Sequence, residues 1–161
     1  MALWRIAVDA PEYTAEELAG KGAELTGGRW NRKGRPVLYT SSSISLACLE
    51  TVVHMKAGRL PLNRYLVRID VPENVWAAKE SMGAASVPTG WHALPEGKVS
   101  LDFGDAWIAS VRSPLLRVPS VIVPEEMNVL INPAHPLNRA VVAKKLRRWS
   151  YDARLVGVSL A

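Results

Sequence analysis

Apolar positions along the chain fall into short blocks, and turn-forming residues separate them. Leu3 to Val8 alternates and predicts a strand, which Pro11 ends. Thr14-Ala15-Glu16-Glu17 carries a capping pattern and predicts a short helix or turn to about Lys21. Gly27-Gly28-Arg29-Trp30-Asn31 opens a loop, and Gly34-Arg35-Pro36 marks a turn. Val37 to Thr40 predicts a strand that stops at Ser41-Ser42-Ser43, one of which caps the next helix. That helix is expected from about Ile44 to Lys56, ending at Gly58. Tyr65 to Val71 is the clearest strand, with Val67, Ile69 and Val71 toward the core and Pro72 closing it.

The second half is less regular. Ser81 to Lys98 holds several Gly and Pro residues and predicts irregular structure. Leu101 to Val111 predicts a helix with Asp102 or Gly104 near its start. Leu115 to Val118 and Ser120 to Val123 predict short strands broken by Pro119, and Asn128 to Ile131 predicts another. Residues 132–136 form a loop, Ala140 to Trp149 a short basic helix, and Asp152 to Val158 a final strand. Strands interleaved irregularly with helices predict one α+β domain over residues 1–161, built on a mixed sheet rather than a doubly wound parallel one.

Composition narrows the setting. No apolar stretch approaches the roughly 18 residues that span a bilayer, and Met1-Ala2-Leu3-Trp4-Arg5 lacks the layout of a secretory signal. Cytoplasmic residence is the default expectation, with no membrane contact. The single cysteine, Cys48, lies among Leu46, Ala47 and Leu49 and reads as a buried, inert thiol. The net charge of +5 admits an anionic partner. Its one dense group, Lys144-Lys145 with Arg147-Arg148, reads as a solvated helix face.

The chemistry concentrates on the Ile44–Met55 helix. Its apolar residues cover nearly the whole circumference at about 100° per residue, so the helix is expected to be largely buried. Glu50 is its only carboxylate, and a buried carboxylate needs a partner or a cleft. Tyr39 ends the preceding strand and offers a stacking face and a hydroxyl. Arg29 lies in a glycine-flanked loop, where its guanidinium can grip a diphosphate through two parallel bonds. Read singly, these are a core tyrosine, a surface arginine and a structurally paired glutamate. Read together, they suit a dinucleotide cut at its nicotinamide–ribose bond, where positive charge develops on the ribose beside a carboxylate. His54 reads as a surface or core residue, and no metal is expected. Arg5 and Arg35 are candidates for added positive potential.

The spacing of Gly28-Arg29-Trp30-Asn31, Gly34 to Tyr39, Ser45 to Glu50, Val118-Pro119-Ser120 and Asn128 to Pro136 resembles the RES domain family. The resemblance runs from Trp4 to about Ala153. It implies an ADP-ribosyltransferase-like fold and the role of toxin in a bacterial toxin–antitoxin pair with an Xre-type antitoxin, DNA being met only through that antitoxin. It also implies NAD⁺ as substrate rather than cofactor, consumed by hydrolysis or phosphorolysis or used to ADP-ribosylate a protein. The matching positions are Arg29, Tyr39, Glu50 and Ser120. On that reading Arg29 holds the diphosphate, Tyr39 packs on the nicotinamide or its ribose, and Glu50 stabilises the ribosyl cation. Ser120 bonds a ribose or a site side chain, with Ser113 as the competing serine. Asn128 and Asn132 are expected to organise the adjoining loop. A basic nucleic-acid-binding module is the reading from a different class, although no recognition helix or RNA-binding signature supports it.

Overall fold

A computed structural model describes residues 1–55, 61–83 and 86–156. One seven-stranded sheet organises them. In chain order the elements are β1 (Ala2–Val8), α1 (Lys21–Thr26), β2 (Leu38–Ser41), α2 (Ile44–Val52), β3 (Arg64–Asp70), α3 (Glu73–Ala77), β4 (Glu80–Ser81), α4 (Lys98–Ser110), β5 (Leu115–Pro119), β6 (Met127–Ile131) and β7 (Val142–Arg148). Single 3-10 turns cover Pro136–Ala140 and Ala153–Val156. The strand order is β4-β5-β6-β2-β1-β3-β7. Only the β4–β5 pair is parallel, so the sheet is mixed, as expected. Among the described residues no helix is long and apolar enough to cross a membrane.

Both faces of the sheet are covered, and strand alternation decides which residue goes where. Leu3 and Ala7 of β1, Leu38 of β2, Val67 and Ile69 of β3, Leu115 of β5 and Val129 and Ile131 of β6 share one face with Val71 and with Val75 of α3. The other face carries two separate clusters. Ile6 and Leu66 pack under Ala47 of α2, while Leu116, Val118 and Leu130 pack under Trp107 and Ile108 of α4 with Trp30. The registers Trp4↔Ser41, Ser41↔Asn128 and Asn128↔Val118 put Ser41 and Asn128 between those clusters. A polar strip therefore divides this face.

Two glycines allow close approach. A Cβ on Gly104 would lie 1.8 Å from the Trp30 carbonyl oxygen, so only a glycine there lets α4 come this close to the Trp30 backbone. Gly20 adopts φ 76, and its own Cβ would meet the Val37 nitrogen at 2.6 Å.

Several expectations need correction. Of the short helix or turn expected from Thr14, the chain forms the turn, closed by Glu17 N–H to the Thr14 carbonyl at 3.1 Å. Left-handed Gly20 then stops helical continuation, and α1 starts only at Lys21. The Ser120–Val123 strand is also a turn, because the Ser120 hydroxyl accepts the Ile122 and Val123 amides at 3.0 and 3.2 Å. The basic helix at 140–149 is instead the strand β7, which pairs with β3 along the sheet edge. Helix α2 ends at Val52, short of the expected continuation, and turns follow at 53–55; Lys56 and Gly58 lie outside the described residues. The helix is not wholly buried, since Ser45 and Leu49 are exposed. The expected last strand is a 3-10 turn up to Val156, and its final positions, 157 and 158, lie outside the described residues.

Candidate active site

The site is built where β2 runs into α2. Ser43 is extended and accepts the Leu46 amide at 3.1 Å, which caps the helix and fixes its start just after the strand. Ala47 and Leu46 then pin α2 to the sheet. Six residues after Ile44, this places the half-buried Glu50 over the polar strip.

The Glu50 carboxylate is held through one oxygen. Oε1 accepts the Ser120 hydroxyl at 2.8 Å and a short bond from the Asn128 side-chain amide. Asn128 Oδ1 in turn accepts the Ser41 hydroxyl at 2.8 Å. The buried Ser120 comes from the turn after β5, Asn128 from β6 and Ser41 from β2. Two segments therefore meet on one carboxylate oxygen, β2 supports them through Asn128, and the second oxygen has no protein partner among the described residues.

Tyr39 lies two residues before Ser41 on the same strand and hence on the same face, roughly 7 Å along it. Its ring packs with the cluster under α4. Its hydroxyl is committed, accepting the Trp30 amide at 2.9 Å and donating to Asn31 Oδ1 at 2.8 Å. The buried Asn31 is fixed by bonds to the Ala23 and Arg35 carbonyls, both at 2.9 Å. Burial pushes the Tyr39 phenol well above its ordinary pKa, and the Trp30 amide and the Arg29 charge only partly oppose this. The phenol is neutral, and its ring face is what remains for a ligand. A Cβ on Gly28 would sit 2.7 Å from that hydroxyl, which explains the glycine before Arg29.

Arg29 follows Gly28 and immediately precedes the residue bonded to Tyr39. Its Nη1 donates to the carbonyls of Trp91 and Ala93 at 2.9 and 2.8 Å. Trp91 stacks on the buried Trp30, with centroids 6.0 Å apart and planes 19° apart. The irregular segment foreseen at 81–98 thus straps the arginine. Nε and Nη2 have no partner among the described residues, so a fork remains for an anion.

The structure brings Arg29, Tyr39, Glu50 and Ser120 to one face of the sheet. Ser113 is elsewhere: it accepts the Trp107 indole N–H at 2.8 Å and donates to the Leu115 carbonyl in the core. Asn132 organises its loop, as expected, through Ile108 and Ala134. Asn128 does not merely organise a loop; it bonds Glu50. A polar residue facing the same way as Leu130 in an otherwise apolar strand was the available signal. Arg5 adds nothing to this strip, because it alternates onto the opposite face and donates to the Glu17 carbonyl at 3.3 Å. Burial lowers its pKa. Arg35 and His54 are exposed. Cys48 is half-buried, and desolvation pushes its thiol up, which suits an inert group.

The model of the RES domain matches residues 2–154. The chain belongs to the RES domain family. A protein named Prs ADP-ribosylating toxin from a Sphingobium species is 55% identical to this RES domain over 155 residues, which is 96% of each chain. A protein named Toxin Res from Photorhabdus laumondii subsp. laumondii is 35% identical over 157 residues, 97% of each chain. Among solved structures, a chain of the M. tuberculosis MbcT–MbcA toxin–antitoxin complex matches with a TM-score of 0.62. The identity there is 15%, over 90% of this chain and 83% of that one, so the likeness is one of fold.

Proposed function

We propose that this RES domain is the toxin of a toxin–antitoxin pair. It cleaves NAD⁺ at the nicotinamide–ribose bond and passes the ADP-ribose to a protein. The observation that carries the reading is the Glu50 carboxylate, held by Ser120 and Asn128 on the face that also bears Tyr39 and Arg29. In this reaction the bond from C1′ to the nicotinamide nitrogen breaks, and its electron pair leaves with neutral nicotinamide. Positive charge grows on the ribose, and a fixed anion stabilises it without reorganising. An acceptor atom then bonds C1′, and its proton passes to Glu50. Arg29 grips the diphosphate through Nε and Nη2, and the Tyr39 ring packs on the nicotinamide or its ribose.

The name of the Sphingobium relative favours a protein acceptor, and the protein called Prs in that name is the first candidate. Water or phosphate is the second reading, since a carboxylate with a free oxygen takes a proton from either. Antitoxin binding over the strip silences the toxin; the antitoxin is of the Xre type, and through it alone the pair meets DNA.

A label on the adenine of NAD⁺ tests this. Incubation of the purified protein with adenine-labelled NAD⁺ and candidate acceptors is expected to leave label on protein while nicotinamide is released. Free ADP-ribose, or its phosphorylated product, would assign the second reading. Absence of nicotinamide release under all conditions would refute both.

A further inference from the structure

We propose that Ser41 is a positioning residue that acts through Asn128 to turn Glu50 so that Oε2 alone faces the substrate; this rests on the NAD⁺-cleaving reading above.

The argument is one of hydrogen-bond inventory. An ionised carboxylate only accepts, so the end of the Asn128 amide that meets Glu50 must be its NH₂. The carbonyl end, Oδ1, then faces Ser41, whose hydroxyl must donate, and it does so at 2.8 Å. Without that hydroxyl the amide has nothing to distinguish its two ends except Glu50 itself. Ser120 is constrained in the same sense. Its oxygen already accepts the amides of Ile122 and Val123, so its one proton points outward to Oε1 at 2.8 Å. Both donors therefore meet on a single oxygen.

That convergence matters because the last torsion of a glutamate is soft and nearly two-fold. A free Glu50 would present either oxygen, and its plane would swing. Two donors on Oε1 fix the plane and leave Oε2 unpartnered among the described residues. Ser41 is well placed for this task. It is 4% exposed, its Cα pairs with Asn128 across the β2–β6 ladder, and it starts the link that leads into α2. It touches neither the reacting atoms nor Glu50.

The test combines kinetics with a signal that needs no turnover. Nicotinamide release is measured for the full chain as wild type, Ser41→Ala, Asn128→Ala and the double variant. Ser41→Ala is expected to lower kcat about fivefold, the scale of one neutral hydrogen bond, and to leave KM within about two-fold. On the Asn128→Ala background the same change is expected to cost nothing further, because its route is gone. Ser41→Thr, which keeps the hydroxyl, is expected to restore kcat. Equal losses on both backgrounds, or a change in KM alone, would overturn the proposal in favour of a packing role. In parallel, the Asn128 side-chain amide is followed by nitrogen-15 NMR. Its two proton signals are expected to be separated and protected in the wild type and to merge or shift in Ser41→Ala. Unchanged signals would overturn the proposal even in an active protein. A wild type that releases no nicotinamide would instead overturn the proposed reaction, with the NMR signals still deciding the orientation.

Discussion

At the scale of single residues, a polar group that breaks an apolar pattern was legible at Glu50 but not at Asn128. Glu50 stood out as the one carboxylate of an apolar helix, and the structure gives it Ser120 and Asn128 as partners. What the sequence hid were partners distant in the chain. Asn128 lies 78 positions from Glu50, and only the β2–β6 register brings them together. The Trp30 amide and Asn31 also claim the Tyr39 hydroxyl, a local capture that no spacing rule announces. Two residues make separable predictions. Gly104→Ala places a methyl against the Trp30 carbonyl and is expected to destabilise the fold by about 1–3 kcal/mol in chemical denaturation. Tyr39 sets an alkaline limit. A phenol whose folded-state pKa is raised contributes stability that is complete below its ordinary value of 10.0 and is lost as pH rises through the folded value. Phenolate absorbance from Tyr39 is therefore expected only as circular dichroism reports unfolding. Ionisation of Tyr39 in a folded protein near its ordinary value would contradict the burial argument.

At the scale of elements, strands and helices with an undisturbed period were readable, and irregular ones were not. β1, β2, β3, β6 and the start of α2 match the alternation and the serine cap. β7 escaped because it carries a bulge. Leu66 pairs with Arg147 and Val67 with Lys145, so Leu146 is the extra residue and the two-residue period is broken. Its charges are those of an edge strand: Lys145 bridges Asp9 and Glu16 at 2.9 and 3.0 Å, and Arg147 lies over Trp149. The 86–97 segment shows the same limit, since its order comes from long-range contact rather than local pattern. Trp91 stacks on Trp30 while its carbonyl binds Arg29. Trp91→Ala removes that stack, worth about 0.5–1.5 kcal/mol, and loosens the strap whose backbone carbonyls hold the guanidinium. KM for NAD⁺ is expected to rise about threefold to tenfold with kcat nearly constant. A fall in kcat at unchanged KM would show that the strap serves something other than binding.

At the scale of the whole molecule, one sheet with two covered faces explains why the site is where it is. One face is a continuous apolar core. The other is divided between α2 and α4, and the division is the polar strip of Ser41, Asn128 and Ser120. Alternation across β1, β2, β5 and β6 sorts every strand residue to its face, so that part of the architecture was implicit in the chain. The division itself depends on which strands are neighbours, and sequence order does not give β4-β5-β6-β2-β1-β3-β7. The proposed reaction rests on the convergence at Glu50. The most direct measurement is nicotinamide release from NAD⁺ by the purified protein, wild type against Glu50→Gln, which keeps the shape and removes the charge. The account predicts turnover by the wild type and a loss of about a hundredfold or more in the variant, the scale of a preorganised electrostatic group. Equal release by the two proteins would contradict it.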